Sequence, residues 1–108
     1  MKITPLPVNG IMSTWRNPGI SPDGKYVVYL LLTHNEKGEE ENSMWEMYRP
    51  TGDVKQILPP SSTHEYGGLS FANDGDYVYY WDLFIERQQK SLYKISLIGG
   101  VPNKLIDI

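Results

Sequence analysis

Apolar residues in this chain fall in short runs and alternating stretches, without the i, i+3, i+4 spacing of an amphipathic helix. The longest run, Tyr26-Val27-Val28-Tyr29-Leu30-Leu31-Leu32, follows Pro22-Asp23-Gly24, and a second, Tyr77-Val78-Tyr79-Tyr80, follows Asn73-Asp74-Gly75. Asp-Gly between two such runs signals a tight turn, because Gly accepts positive φ and Asp bonds the following amides. Residues 43–49 alternate strictly, with Met44, Glu46 and Tyr48 on one face and Trp45 and Met47 on the other. The pattern predicts strands a to d at 17–21, 25–33, 43–49 and 54–58, with a turn at Pro50-Thr51-Gly52-Asp53. Further strands follow at 76–84, 91–97 and 103–107. With no sustained helical period or capping signal, helix content is expected to be minor.

The pattern also repeats. Ile20-Ser21-Pro22-Asp23-Gly24-Lys25-Tyr26-Val27-Val28-Tyr29 aligns with Phe71-Ala72-Asn73-Asp74-Gly75-Asp76-Tyr77-Val78-Tyr79-Tyr80 at an offset of 51. Ser43-Met44-Trp45-Glu46-Met47-Tyr48 aligns with Ser91-Leu92-Tyr93-Lys94-Ile95-Ser96 at 48, and the three-residue difference falls in the polar loop 33–42. A period near 50 with strand-like content indicates propeller blades. The expected fold is therefore all-β, two four-stranded antiparallel blades. Residues 1–16 would be a strand and connection completing a neighbouring blade, 17–58 the first blade, 59–67 an inter-blade connection and 68–108 the second blade. Within the first segment, 2–6 reads as a third d-type strand. Because a ring needs about four to eight blades, two must belong to a longer propeller or assemble with further copies.

Composition narrows the function classes. Ten Gly and eight Pro among 108 residues disfavour a helical bundle, and eight of the thirteen aromatics are Tyr, a strand-favouring residue. A net charge of −3 lacks the basic surface that nucleic-acid binding requires. Without cysteine there is no thiolate nucleophile, disulfide or cysteine zinc site. The seven-residue run 26–32 falls well short of the roughly 20 a membrane helix needs, so membrane insertion is not expected. The first residues lack the apolar core and cleavage site of a signal peptide.

The stretch Ile20-Ser21-Pro22-Asp23-Gly24-Lys25-Tyr26-Val27-Val28-Tyr29, an aromatic on strand c (Trp45, Tyr93), and Gly99-Gly100 before Lys104-Leu105-Ile106 resemble the TolB-type WD40-like propeller repeat over about residues 17–107. The second unit departs at Ala72-Asn73, where that family more often has Ser-Pro. The wording of Gln56-Ile57-Leu58-Pro59-Pro60 and Ser91-Leu92-Tyr93-Lys94-Ile95 is most similar to sensor-like propellers attached to bacterial regulators. The resemblance implies a bacterial cytoplasmic or periplasmic setting and a non-enzymatic module recognising a protein, peptide or small ligand at the channel mouth. Its alternatives are the substrate-gating propeller of a prolyl-oligopeptidase-type peptidase and a structural ring with no ligand.

Candidate chemistry is sparse. Gly68-Leu69-Ser70-Phe71-Ala72 approaches the G-x-S-x-G elbow, but ends in Ala and precedes a hairpin turn, so Ser70 reads as a strand residue. His34 and His64 lie thirty residues apart, without metal-ligand spacing. Glu39-Glu40-Glu41 reads as a solvated loop tip and Asp74-Gly75-Asp76 as a turn. No catalytic, metal or cofactor residues are assigned. The remaining signal is positional: at the offset of 51, Ser13-Thr14-Trp15-Arg16 aligns with His64-Glu65-Tyr66-Gly67, in connections that gather at one channel mouth. Trp15, Arg16, His64, Glu65 and Tyr66 are therefore the candidate ligand-binding set. The competing reading packs Trp15 and Tyr66 between adjacent blades.

Overall fold

A computed structural model describes the backbone of Ile11 and Met12 and all of residues 18–98 and 100–108. The strand expected at 2–6 lies outside these residues, as do Trp15 and Arg16.

Among the described residues nine strands follow in chain order: β1 Ile11–Met12, β2 Gly19–Ile20, β3 Tyr26–His34, β4 Glu40–Tyr48, β5 Asp53–Ser61, β6 His64–Phe71, β7 Tyr77–Phe84, β8 Gln89–Ser96 and β9 Asn103–Asp107. A 3-10 turn, Ile85–Arg87, is the one helical element among the described residues. None of their helices could cross a membrane. All strand pairs are antiparallel. In the first sheet β1 and β2 both pair with β3, followed by β4 and β5; the second runs β6-β7-β8-β9. These are the two expected blades.

The turn chemistry recurs as the repeat predicts. Gly24 N–H donates to Ser21 O and Gly75 N–H to Ala72 O, both at 2.9 Å. Asp23 Oδ1 accepts from Lys25 N, and Asp74 Oδ1 from Asp76 N, at 2.9 and 3.0 Å. Both glycines have positive φ, +74° and +81°. The Asn that replaces Pro in the second turn leaves this geometry intact.

The inner strands differ. Met12 lies opposite Leu31 and Gly19 opposite Val28, with residues 13–18 between. In the second blade β6 runs through, with a register shift between Gly67 and Ser70. A Cβ at Gly67 would overlap the Trp81 ring, and one at Gly68, where φ is +63°, would lie 2.7 Å from Trp81 Cδ1. The glycine pair lets the indole lie against the strand.

β6 begins at His64, and β5 runs through Pro59 and Pro60 to Ser61, so the connection expected at 59–67 reduces to Ser62 and Thr63. Both prolines fall where the β4–β5 register shifts, between the Asn42–Ser61 and Met44–Leu58 pairs, so neither has to donate at a regular ladder position.

Val28, Leu30, Met44 and Leu58 of the first blade pack against Tyr66, Val78, Tyr80, Ile95 and Leu97 of the second, forming a seam. Tyr66 and Tyr80 meet edge to face at 5.9 Å. On the first blade's other face, Tyr29, Leu31, Trp45 and Met47 make a second buried cluster. The second blade's far face is open: Val28 is fully buried, whereas Tyr79, its repeat counterpart, is 37% exposed.

Candidate functional site

The end of the seam where β5 passes into β6 is built by one side chain from the other blade. Asn42 of β4 donates through Nδ2 to His64 O at 2.6 Å and Ser61 O at 3.2 Å. Its Oδ1 accepts from Tyr66 N at 2.9 Å. Ser61 Oγ in turn accepts from His64 N at 3.1 Å. These bonds satisfy backbone groups of a tight connection that would otherwise be exposed at the seam.

His64 and Asp82 project from this end. His64 lies opposite Phe84 in register and Tyr66 opposite Asp82, so His64, Asp82 and Phe84 share one face of the β6–β7 ladder. The His64 ring stacks on Phe84, centroids 4.9 Å apart and planes 6° from parallel. With Asp82 ionised, His64 Nδ1–H donates to its Oδ1 at 2.7 Å. The Asp82 side chain is 13% exposed and that of His64 38% exposed, so the carboxylate orients an accessible ring. Beneath the pair, burial and then the Asp82 charge push the Tyr66 hydroxyl up, partly opposed by its hydrogen bond with Ser61. Burial and Asp82 act in the same direction on Tyr80. Both phenols therefore stay neutral beside the carboxylate.

Next to the pair opens a cleft of about 480 Å³, lined by Glu41, Asn42, Ser61, Ser62, Glu65 and Ile85 among others. Of the candidate set, His64 and Glu65 stand at this end of the seam. Tyr66 is 7% exposed and belongs to the core, so its ring packs between the blades and offers no exposed lip. The offset of 51 also misplaces its counterpart. Leu31 corresponds to Asp82 (31 + 51), and the residues opposite them are Met12 and Tyr66. In register with the second strand of each blade, Tyr66 is thus matched by Met12. Trp15 and Arg16 lie outside the described residues.

Sequence reasoning missed Asn42 and Asp82. Asn42 sat within the expected polar loop, and Asp82 becomes informative once β6 and β7 are in register. Ser70 lies in β6, one residue before its end. His34 sits 3.9 Å from Glu40, exposed, at the β3–β4 connection. Among the described residues no three His, Asp or Glu side chains gather as metal ligands.

No protein-family model matches the chain, and no curated protein is recognisably similar to it in sequence. Solved structures are. The β-propeller domain of the Trilobed protease from Pyrococcus furiosus, described as having an open Velcro topology, superposes at a TM-score of 0.70 with 16% identity. That match covers 91% of this chain and 28% of the neighbour. An acylaminoacyl peptidase in complex with a Z-Gly-Gly-Phe chloromethyl ketone gives 0.67 and 17% identity, covering 92% and 14%. The fold is that of propeller blades. The chain spans less than a third of either neighbour's length, and at these identities the likeness concerns fold alone.

Proposed function

We propose that the chain is a non-enzymatic propeller module, two blades of a larger ring, that recognises a protein or peptide at the β5–β6 end of the seam. The observation that carries this reading is the His64–Asp82 pair, an accessible imidazole held by a nearly buried carboxylate beside an open cleft. With Nδ1 engaged, Nε2 is left to accept from a partner's N–H or O–H. Glu65 adds a carboxylate at the cleft. Trp15 and Arg16 remain in the proposed recognition set on sequence grounds, without an assigned position. The ring would continue from the second blade's open face, through either a further blade or another copy.

The test is titration of a short-peptide library into the isotopically labelled chain. Amide shifts should cluster at residues 61–66 and 82–85 and be lost in His64→Ala/Glu65→Ala. Shifts confined elsewhere would refute the recognition site. The two peptidase neighbours favour a second reading, in which these blades gate substrate for a hydrolase unit carried elsewhere. Peptide turnover when the chain is joined to such a unit, combined with silence in the library titration, would favour that alternative.

A further inference from the structure

At the opposite end of the seam a second cleft, of about 410 Å³, lies between the blades. Its lining includes Tyr26 of β3, Glu46 of β4, Lys55 of β5, Asp76 and Tyr77 at the entry to β7, and Leu97 just after β8. Glu46 is the unusual member. It is 8% exposed, and its Oε2 is buried without a hydrogen-bond partner. Lys55 lies opposite it across the β4–β5 ladder, yet the Lys55 ammonium donates to Leu97 O on the other blade, at 2.5 Å. No ion pair within 4.0 Å joins Lys55 to Glu46 among the described residues. A carboxylate withdrawn from water with an unfilled acceptor is costly, and either a proton or a donor-bearing cation would relieve it.

We propose that this cleft binds a small organic cation, an alkylammonium or guanidinium group, with Glu46 as its acceptor and Tyr26 and Tyr77 flanking its apolar stem. Of the residues lining the cleft, two carboxylates, Glu46 and Asp76, exceed one cation, Lys55, and the Tyr26 face adds the attraction of an aromatic quadrupole for positive charge, while Lys94 already lies over the Tyr77 ring. The repeat restricts the site to this seam. Lys94 lies opposite Tyr79 as Glu46 lies opposite Val28, so the second blade carries a cation at the equivalent position. A proton competes with the ligand for Glu46. Burial pushes this carboxyl up, and Lys55 partly opposes the shift. The other charged and titratable groups lining the cleft are Lys55 from its own sheet, Tyr26 from β3, and Asp76 and Tyr77 from the second blade, with Lys94 over the Tyr77 ring. Affinity for a permanently charged ammonium should therefore rise with pH across the upper carboxylate range.

The probe is n-butylammonium, with 1-butanol as the uncharged control of similar shape, titrated at pH 5 and pH 8. Saturable shifts should appear near Glu46, Tyr77 and Leu97 with the ammonium alone, at the roughly millimolar affinity of a fragment this small. Binding should be weaker at pH 5. Glu46→Gln, nearly isosteric, should weaken it by about tenfold or more, the loss of a charge-assisted hydrogen bond. The pH comparison on the unaltered chain keeps the test decisive if that variant folds poorly. No saturation at pH 8, equal binding of butanol, or undiminished binding to folded Glu46→Gln would each overturn the proposal. Because this cleft is remote from His64, either outcome leaves the peptide-recognition reading to its own test.

Discussion

Asn42 shows how much one side chain contributes when its partners are backbone groups on both sides of the turn between two blades. Truncation to Ala would leave His64 O, Ser61 O and Tyr66 N without this partner. Asn42→Ala should cost about 2 kcal/mol or more in denaturant melts, within the range for unsatisfied buried polar groups. Asn42→Asp keeps the acceptor and loses the donor, so it should recover part of that loss at most. Glu46 behaves oppositely. Its folded carboxyl is pushed up by burial, so the folded state holds a proton that the unfolded chain releases. The stability this provides is fully present below the ordinary carboxylate range and is lost as pH rises through the raised folded value. Thermal melts across pH 4 to 8 should show that decline in the unaltered chain and a flatter profile, higher near neutrality, in Glu46→Gln. A steeper decline in the variant would reverse the assignment. Neither role was legible in the sequence, because each depends on which residue lies across a seam. His64 and Glu65 entered the candidate set through the order of connections, whereas Asp82 as the partner of His64 needed the β6–β7 register.

At the scale of elements, what is local was readable and what is cooperative was not. The two Asp-Gly turns, strands β3, β4, β7 and β8, and the outer strand β9 follow from alternation and turn chemistry confined to a few residues. The inner strand was misread at its start. Strand d was expected to end at Leu58 and His64-Glu65-Tyr66 to belong to the connection, whereas β5 runs to Ser61 and β6 begins at His64. The Gly67-Gly68 pair has a sharper consequence. Gly68 combines left-handed φ with an indole at contact distance, so Gly68→Ala should cost about 2–3 kcal/mol through strain and displacement of Trp81. Tryptophan fluorescence should report the displacement directly. Gly38, with φ +80° and open space around it, is the control that carries the strain without the clash.

At the scale of the whole molecule, the repeat explains why one face of the second blade is open. Tyr79 stands where Val28 stands in the first blade, and Val28 is sealed by the second blade, whereas Tyr79 is exposed. Lys90 lies 4.5 Å over the Trp81 ring and Lys94 4.7 Å over Tyr77, placing charge on an otherwise aromatic surface. The sequence already indicated that two blades cannot close a ring. The ring proposed above would continue on this face. The account's central claim, two blades packed through one seam with the next contact surface open, is tested most directly by the native mass of the 108-residue chain. Light scattering on a sizing column, with and without Tyr79→Glu, should reveal concentration-dependent association that the added charge suppresses while the β circular dichroism remains. A monodisperse, stable monomer at all concentrations, unchanged by Tyr79→Glu, would contradict it.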